Sequence, residues 1–364
     1  MMTVKVVQKN SDAVCERLGS MKLFSFIHTK RTPKQRERSL DSHETPKTIF
    51  VLGGGGGKGA CQVGMLIALI EQGIRADEVI GVSVGALNGA VYASQPTLDG
   101  LRSLESLWSS LDKDTIMPKR KLGTTWRYAQ RGESVYPGEG LRNLISSHLT
   151  LTDIQNTTIP LEVLAADYTT GEEVWFSAGT PRDVLYASAA IPGVFPPVRL
   201  NGRLLVDGGI VNDTPIDRAV LHGATHIYML LCGTPFARLP DPQRPLEALV
   251  RSVTHTKTAH FRHQVHHVPK GISITVLDCP EAAGVEALDF SKKNLLLSAG
   301  HDRAIKILTG EVTVSFDPPS SETASYSTAE YILEDYVIKS KADRSRLRYA
   351  SKVLSTKGIH HNKV

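Results

Sequence analysis

Thr48-Ile-Phe-Val-Leu52 is a short run with no polar face, and five consecutive glycines follow it at once. A strand that must hide both faces belongs inside a parallel sheet, covered above and below. Helical spacing resumes directly after the glycines, at Val63, Leu66, Ile67 and Ile70, with Gly73 placed as a C-terminal stop. The same rhythm returns in residues 78–82 and 84–94, and in strands near 161–166, 173–176, 204–206, 227–231 and 272–277. Helical patterns fall between them, the longest at residues 246–267 and 291–308. Alternation of this kind predicts an α/β fold, a doubly wound and mostly parallel central sheet with helices on both faces.

The ends of the chain read differently from its body. Of 364 residues and a net charge of +5, residues 1–47 carry ten Lys/Arg against five Asp/Glu, and residues 339–364 carry eight against one. The ends therefore hold +12 and residues 48–338 hold −7. An acidic body does not suit nucleic acid, whereas basic tails suit an anionic surface such as phospholipid headgroups, or are merely solvated. No apolar run approaches the ~20 residues of a membrane-spanning helix. The N-terminus lacks a secretory pattern, which predicts a cytoplasmic protein with peripheral membrane contact at most. Cys15, Cys61, Cys232 and Cys279 form no CxxC pair, so neither a disulfide framework nor a zinc knuckle is expected.

Three motifs carry chemistry. Gly81-Val82-Ser83-Val84-Gly85 lies between a strand and a helix. A serine at such an elbow exposes its hydroxyl at the carboxyl edge of the sheet, over a helix N-terminus. Gly53 to Gly57, Lys58 and Gly59 open the first helix, where bare amides can converge on a phosphate, a pyrophosphate or a transient oxyanion. Gly54, Gly56 and Gly59 also fit the dinucleotide fingerprint, with Asp77 near the place of its ribose-binding acid. Lys58 is followed by Gly59, which breaks a Walker phosphate loop. Asp207-Gly208-Gly209 follows a strand directly; its aspartate can reach across the sheet edge or simply cap a turn.

Together these motifs, in this order and spacing, resemble the patatin-like phospholipase family. Residues 166–172, Ala-Asp-Tyr-Thr-Thr-Gly-Glu, and 188–197, Ser-Ala-Ala-Ile-Pro-Gly-Val-Phe-Pro-Pro, look like further family segments. The resemblance implies an α/β hydrolase domain over residues 48–310, its core motifs within 48–235, between a basic arm (1–47) and a basic tail (311–364). It implies hydrolysis of lipid acyl esters of the phospholipase A or lysophospholipase type, with no cofactor and no metal. Ser83 is then the nucleophile, Asp207 its proton acceptor, and Gly54, Gly55 and Gly56 the surround of the oxyanion hole. Lys58, Gly59, Gly81, Gly85, Gly208 and Gly209 support them, and Asp167 takes a turn-forming place. A side chain at Gly55 is expected to stand in the path of the substrate carbonyl.

Two other readings stay open on the residues alone. A Ser–His–Asp triad could use His222 or His226, which follow the serine in chain order. A nucleotide-binding oxidoreductase could use the glycine loop with Asp77. The histidines at 255, 260, 263, 266 and 267 share one predicted helix, but no third ligand stands near the His263/His267 pair, so a surface role is expected. Trp126 and Tyr128, among Lys119, Arg120, Lys121, Arg127 and Arg131, suit either a flap over the site or a solvated loop.

Overall fold

A computed structural model describes residues 45–117, 134–235, 241–242 and 245–314. The arm before residue 45, the basic segment with Trp126 and Tyr128, and the tail, where the sequence suggests a short helix near residues 331–338, lie outside the described residues. The order of elements is β1 (Thr48–Leu52), α1 (Ala60–Glu71), β2 (Glu78–Val82), α2 (Val84–Ser94), α3 (Leu98–Ser110), α4 (Glu139–His148), β3 (Leu161–Asp167) and β4 (Glu173–Phe176). There follow α5 (Pro181–Ala189), β5 (Val198–Leu200), β6 (Arg203–Asp207), α6 (Ile216–Leu221), β7 (His226–Leu230), α7 (Pro245–His266), β8 (Ser273–Leu277) and α8 (Lys293–Leu308).

The sheet bonds in the order β5-β6-β3-β2-β1-β7-β8, with β4 also on β3. The five strands β3, β2, β1, β7 and β8 run parallel. As the all-apolar β1 required, it sits centrally and both faces are covered. Phe50 and Leu52 join the core beneath α1, α2 and α3, while Ile49 and Val51 join a second core with Ile216 and Phe261, from α6 and α7. Gly73 has φ 73° just past the end of α1, the left-handed stop its position predicted.

The sequence reading missed β5 and the direction of β6. The two form a hairpin across Asn201-Gly202, whose φ values of 52° and 78° are those of a tight primed turn. β6 runs antiparallel to β3, pairing Ala165 with Asp207 and Asp167 with Leu205. β2 pairs the preceding stretch of β3, Leu161 to Leu164. Backbone groups alternate in direction along a strand. Val79 donates to Pro160 on the β2 side, and Tyr168, of the same parity, donates to Leu204 of β6. β2 and β6 therefore share one edge of β3 and meet end to end.

Candidate active site

At this junction the chain leaves β2 through Ser83, with φ 55° and ψ −126°. This strained conformation in a non-glycine residue is the expected elbow. Its neighbours are glycines for steric reasons. A Cβ on Gly81 would lie 2.5 Å from Ala86 Cα, and one on Gly85 would lie 2.2 Å from the Leu52 carbonyl oxygen. The Ser83 amide donates to Ser188 Oγ at 2.9 Å, and Ser188 donates to the Leu164 carbonyl at 2.6 Å. Helix α5 thereby clamps the elbow to β3.

Ser83 Oγ donates to Asp207 Oδ2 at 2.6 Å. The other carboxylate oxygen accepts the Gly209 amide at 2.8 Å, which fixes the plane of the carboxylate. A Cβ on Gly208 would lie 2.4 Å from the Leu164 carbonyl oxygen, so the turn after Asp207 admits no side chain there. Burial pushes the Asp207 carboxyl up to about 6, against the pull of Ser83, Lys257 and the Gly209 amide.

The glycine loop passes beside the serine, and a Cβ on Gly54 would stand 3.3 Å from Ser83 Cβ. The amides of Gly53, Gly57 and Lys58 donate to Leu230, Ala287 and Gly55 carbonyls respectively. Among the described residues, those of Gly54, Gly55 and Gly56 donate to no protein acceptor. Three free donors next to a serine hydroxyl are suited to an anion or a developing oxyanion. Lys58 and Gly59 continue into a helical turn, and Gly59 packs on Val84 with no room for a Cβ. The expectation for Gly55 needs correcting. Its missing Cβ would lie 2.2 Å from Cys232 Cβ, so a side chain there collides with buried Cys232 rather than standing in the carbonyl's path.

Sequence reasoning missed the groups that hold this loop. Gln62 donates from Nε2 to the Gly53 and Leu230 carbonyls, and Asn88 donates from Nδ2 to the Gly59 carbonyl and to Gln62 Oε1. Trp108 Nε1 completes the chain by donating to Asn88 Oδ1 at 2.9 Å. This buried network has its amide groups satisfied and ties down both ends of the glycine run. Lys257 of α7 and Asp213 were missed as well. Their ion pair, at 3.0 Å, lies against Gly54 and Gly209. The three described cysteines are buried and free; although far apart in sequence, Cys61 lies by both Cys232 and Cys279, and these contacts, with burial added, push its thiol well up.

An apolar pocket opens from Ser83 between α2, α3, α4 and α5. It is lined by Leu104, Trp108, Leu141, Ile145, Phe195 and Phe290 among others, and encloses about 840 Å³ with its mouth included. Its lining, apolar but for Ser83, Asn88 and His148, suits a hydrocarbon chain.

The two alternative readings fail on position. His222 and His226 lie at the amino edge of the sheet, with His222 Nδ1 bonded to Glu78 Oε1 at 2.6 Å and His226 opening β7. Glu78 begins β2, so its five-residue length places that cluster about 16 Å from Ser83. Asp77 is at the same far edge, accepting the Thr48 amide at 2.7 Å, and cannot serve a ligand on the glycine loop. Glu78, Glu162 and His222 are close enough to hold a metal ion. Lys47 and Arg218 already pair with the two carboxylates at 2.7 Å each, which makes the cluster a structural ion network. His263 and His267 stack on each other and, among the described residues, join no third ligand. Asp167 accepts the Thr169 and Thr170 amides, as a turn former does.

Residues 50–220 match the model of the patatin-like phospholipase family, and this region of the chain belongs to that family. The chain is 32% identical over 187 residues to rat patatin-like phospholipase domain-containing protein 7, covering 51% of this chain and 13% of that protein. It is 34% identical over 189 residues to the Drosophila melanogaster neuropathy target esterase sws, with the same coverage. A Mycobacterium bovis protein of the NTE family is 31% identical over 173 residues, 47% of this chain and 45% of that protein. The chain thus spans from about an eighth to under half of these relatives. Among the described residues no helix is long and apolar enough to cross a membrane.

Proposed function

We propose that this protein is a lipid acyl ester hydrolase of the phospholipase A or lysophospholipase type, working through a Ser83–Asp207 dyad. The observation that carries the reading is the 2.6 Å bond from Ser83 to Asp207, with Ser83 lining an apolar pocket, beside three glycine amides that donate to no acceptor among the described residues. The acyl chain enters the pocket and brings its ester carbonyl to Ser83. Ser83 Oγ attacks the carbonyl carbon while its proton passes to Asp207, and the Gly54, Gly55 and Gly56 amides take the charge that develops on oxygen. Asp207 returns the proton to the departing alcohol or lysolipid. Water then attacks the acyl-enzyme, giving its proton to Asp207, and the carboxylic acid leaves as the proton returns to Ser83.

Family membership of residues 50–220 supports this substrate class. Cytoplasmic residence with peripheral membrane contact belongs to the same proposal, the basic ends supplying attraction to anionic lipid. The test is a fluorophosphonate probe on the purified chain. It should label Ser83 and leave Ser83→Ala unlabelled; labelling elsewhere, or none, overturns the reading.

A further inference from the structure

Helix α7 holds the loop that follows Asp207 by two polar side chains on one of its faces. Lys257, Phe261 and Gln264 are spaced four and three residues apart, so they share that face. Phe261 is buried in the second core, which anchors the helix. Gln264 Nε2 donates to Asn212 Oδ1 at 3.2 Å, and Lys257 Nζ donates to Asp213 Oδ1 at 3.0 Å. Two neighbouring residues of the loop are thus fixed to one helix.

Asp213 in turn touches both loops of the candidate site. A Cβ on Gly53 would lie 2.9 Å from the Asp213 carbonyl oxygen, and one on Gly54 would lie 2.5 Å from Asp213 Oδ1. The same Oδ1 would be 2.5 Å from a Cβ on Gly209, whose amide holds the Asp207 carboxylate. One carboxylate oxygen therefore occupies the crossing of the glycine loop and the turn after Asp207, and only glycine at both positions leaves it room.

This placement also brings charge to the dyad. A Cβ on Gly209 would be 3.2 Å from Lys257 Nζ and 3.1 Å from Asp207 Oδ1. No more than those two lengths end to end separates ammonium and carboxylate, a range over which an opposite charge favours the ionised acid. The Lys257 and Asp213 side chains are 35% and 21% exposed, so solvent screens the pair only in part. Burial pulls the Lys257 ammonium down, but Asp213 and Asp207 outweigh it and hold it above the usual lysine range. Among the described residues, the charged and titratable groups facing Asp207 are Ser83 from the end of β2, Lys257 from α7 and Asp213 from the loop after β6. Cys232 faces the ammonium from the end of β7, and His260, one turn on, turns its ring to Gln264.

We propose that Lys257 is a positioning residue for the dyad: paired with Asp213, it bolts the glycine loop to the turn after Asp207 and keeps a positive charge beside the Asp207 carboxylate. It lines no part of the acyl pocket and acts through Asp207 and Gly54. A bare Asp213 would set a negative charge against the loop that receives the oxyanion, and the ammonium offsets it. This role rests on the Ser83–Asp207 hydrolase reading.

The experiment uses the full chain with Lys257→Met, Asp213→Asn and the double variant. Two pH profiles are measured on each: kcat/KM on a short-chain water-soluble ester, and the rate of Ser83 labelling by a fluorophosphonate. Loss of the ammonium should move the midpoint up from about 6 by about one pH unit, and lower the plateau. Loss of the Asp213 charge should move the midpoint down. The double variant should fall between the two, near wild type. A pair that merely packs would loosen the loop alike in both single variants, lowering turnover with the midpoint in place. Unmoved midpoints, or shifts of one sign in both single variants, therefore overturn the proposal. If Lys257→Met does not fold, the downward shift in Asp213→Asn and its reversal in the double variant decide. A wild type that takes the label but turns over no ester strikes the hydrolase reading alone, and the labelling midpoints still decide on Lys257. A wild type that does neither strikes the dyad, and this role with it.

Discussion

Ser83 and Asp207 meet because two strands run toward each other along one edge of β3, Val82 level with Leu164 and Asp207 level with Ala165. Neither side chain has to reach. The serine leaves the end of a parallel strand, the aspartate closes an antiparallel one, and the 2.6 Å bond spans the gap between strand ends.

The position of that carboxylate sets a pH dependence. In the proposed dyad Asp207 must be ionised to accept the serine proton, and burial places its carboxyl at about 6. On a soluble ester kcat/KM should therefore rise with unit slope to a plateau, with a midpoint near 6. His222→Ala and His226→Ala should leave both the plateau and the midpoint in place, because both residues lie at the far edge. A histidine variant that abolishes the limb would contradict the dyad.

The same burial costs stability. A carboxyl raised from 3.8 to about 6 on folding destabilises the ionised folded state by on the order of 3 kcal/mol. The folded state binds the proton more tightly than the unfolded state, so stability from this group is fully present below pH ~4 and lost as pH rises through ~6. Asp207→Asn removes the ionisation. It should raise Tm at pH 8, leave it unchanged near pH 4, and lose nearly all ester turnover. Thermal melts at the two pH values check the sign.

Ser188 is expected to matter without touching substrate. Ser188→Ala leaves the buried Ser83 amide without its acceptor, an omission that costs about 1–3 kcal/mol. The variant should unfold at lower denaturant, and its Ser83 should react more slowly with a fluorophosphonate in conditions where it is fully folded. Equal labelling rates would show that the elbow holds its shape without α5.

Gly55→Ala should cost activity through the loop's position, because its Cβ has no place against Cys232. A displaced oxyanion donor is worth ~10²–10³ in kcat. Making room should restore part of the loss, so Gly55→Ala/Cys232→Gly should be faster than Gly55→Ala alone. A double variant as slow as the single one would mean that the added methyl obstructs the substrate itself.

Much of this arrangement could be read in the sequence, for identifiable reasons. β1 has no polar face and could only be central, and Gly53, Gly56, Gly57, Gly81 and Gly85 stand where another stretch of backbone comes too close for a Cβ. The missed hairpin had its own signal: Asn201-Gly202 is the pair that a two-residue primed turn demands, and weighing it would have revealed both β5 and the reversal of β6. Ser188 opens a segment that resembles the family, but nothing local gives its role as a clamp, and nothing local marks Gln62, Asn88, Asp213 or Lys257. Their partners are brought to them by packing, as Gln62 is to Leu230 across 168 positions of chain. For the same reason Cys61, Cys232 and Cys279 looked unrelated until folding gathered them.

The end-to-end meeting of β2 and β6 also makes the order of assembly visible. Ser83 and Asp207 are 124 residues apart, and contacts of such long separation form late because chain entropy opposes them. Residues 48–166 contain β1, β2 and nearly all of β3 but no Asp207, so an intermediate can carry helix and strand signals while remaining inert. In refolding, recovery of ester turnover should therefore follow the circular dichroism amplitude and coincide with the slowest phase. Ester turnover, in the proposed hydrolase, keeps time for the slowest of these long-range pairings, β1 with β7 among them.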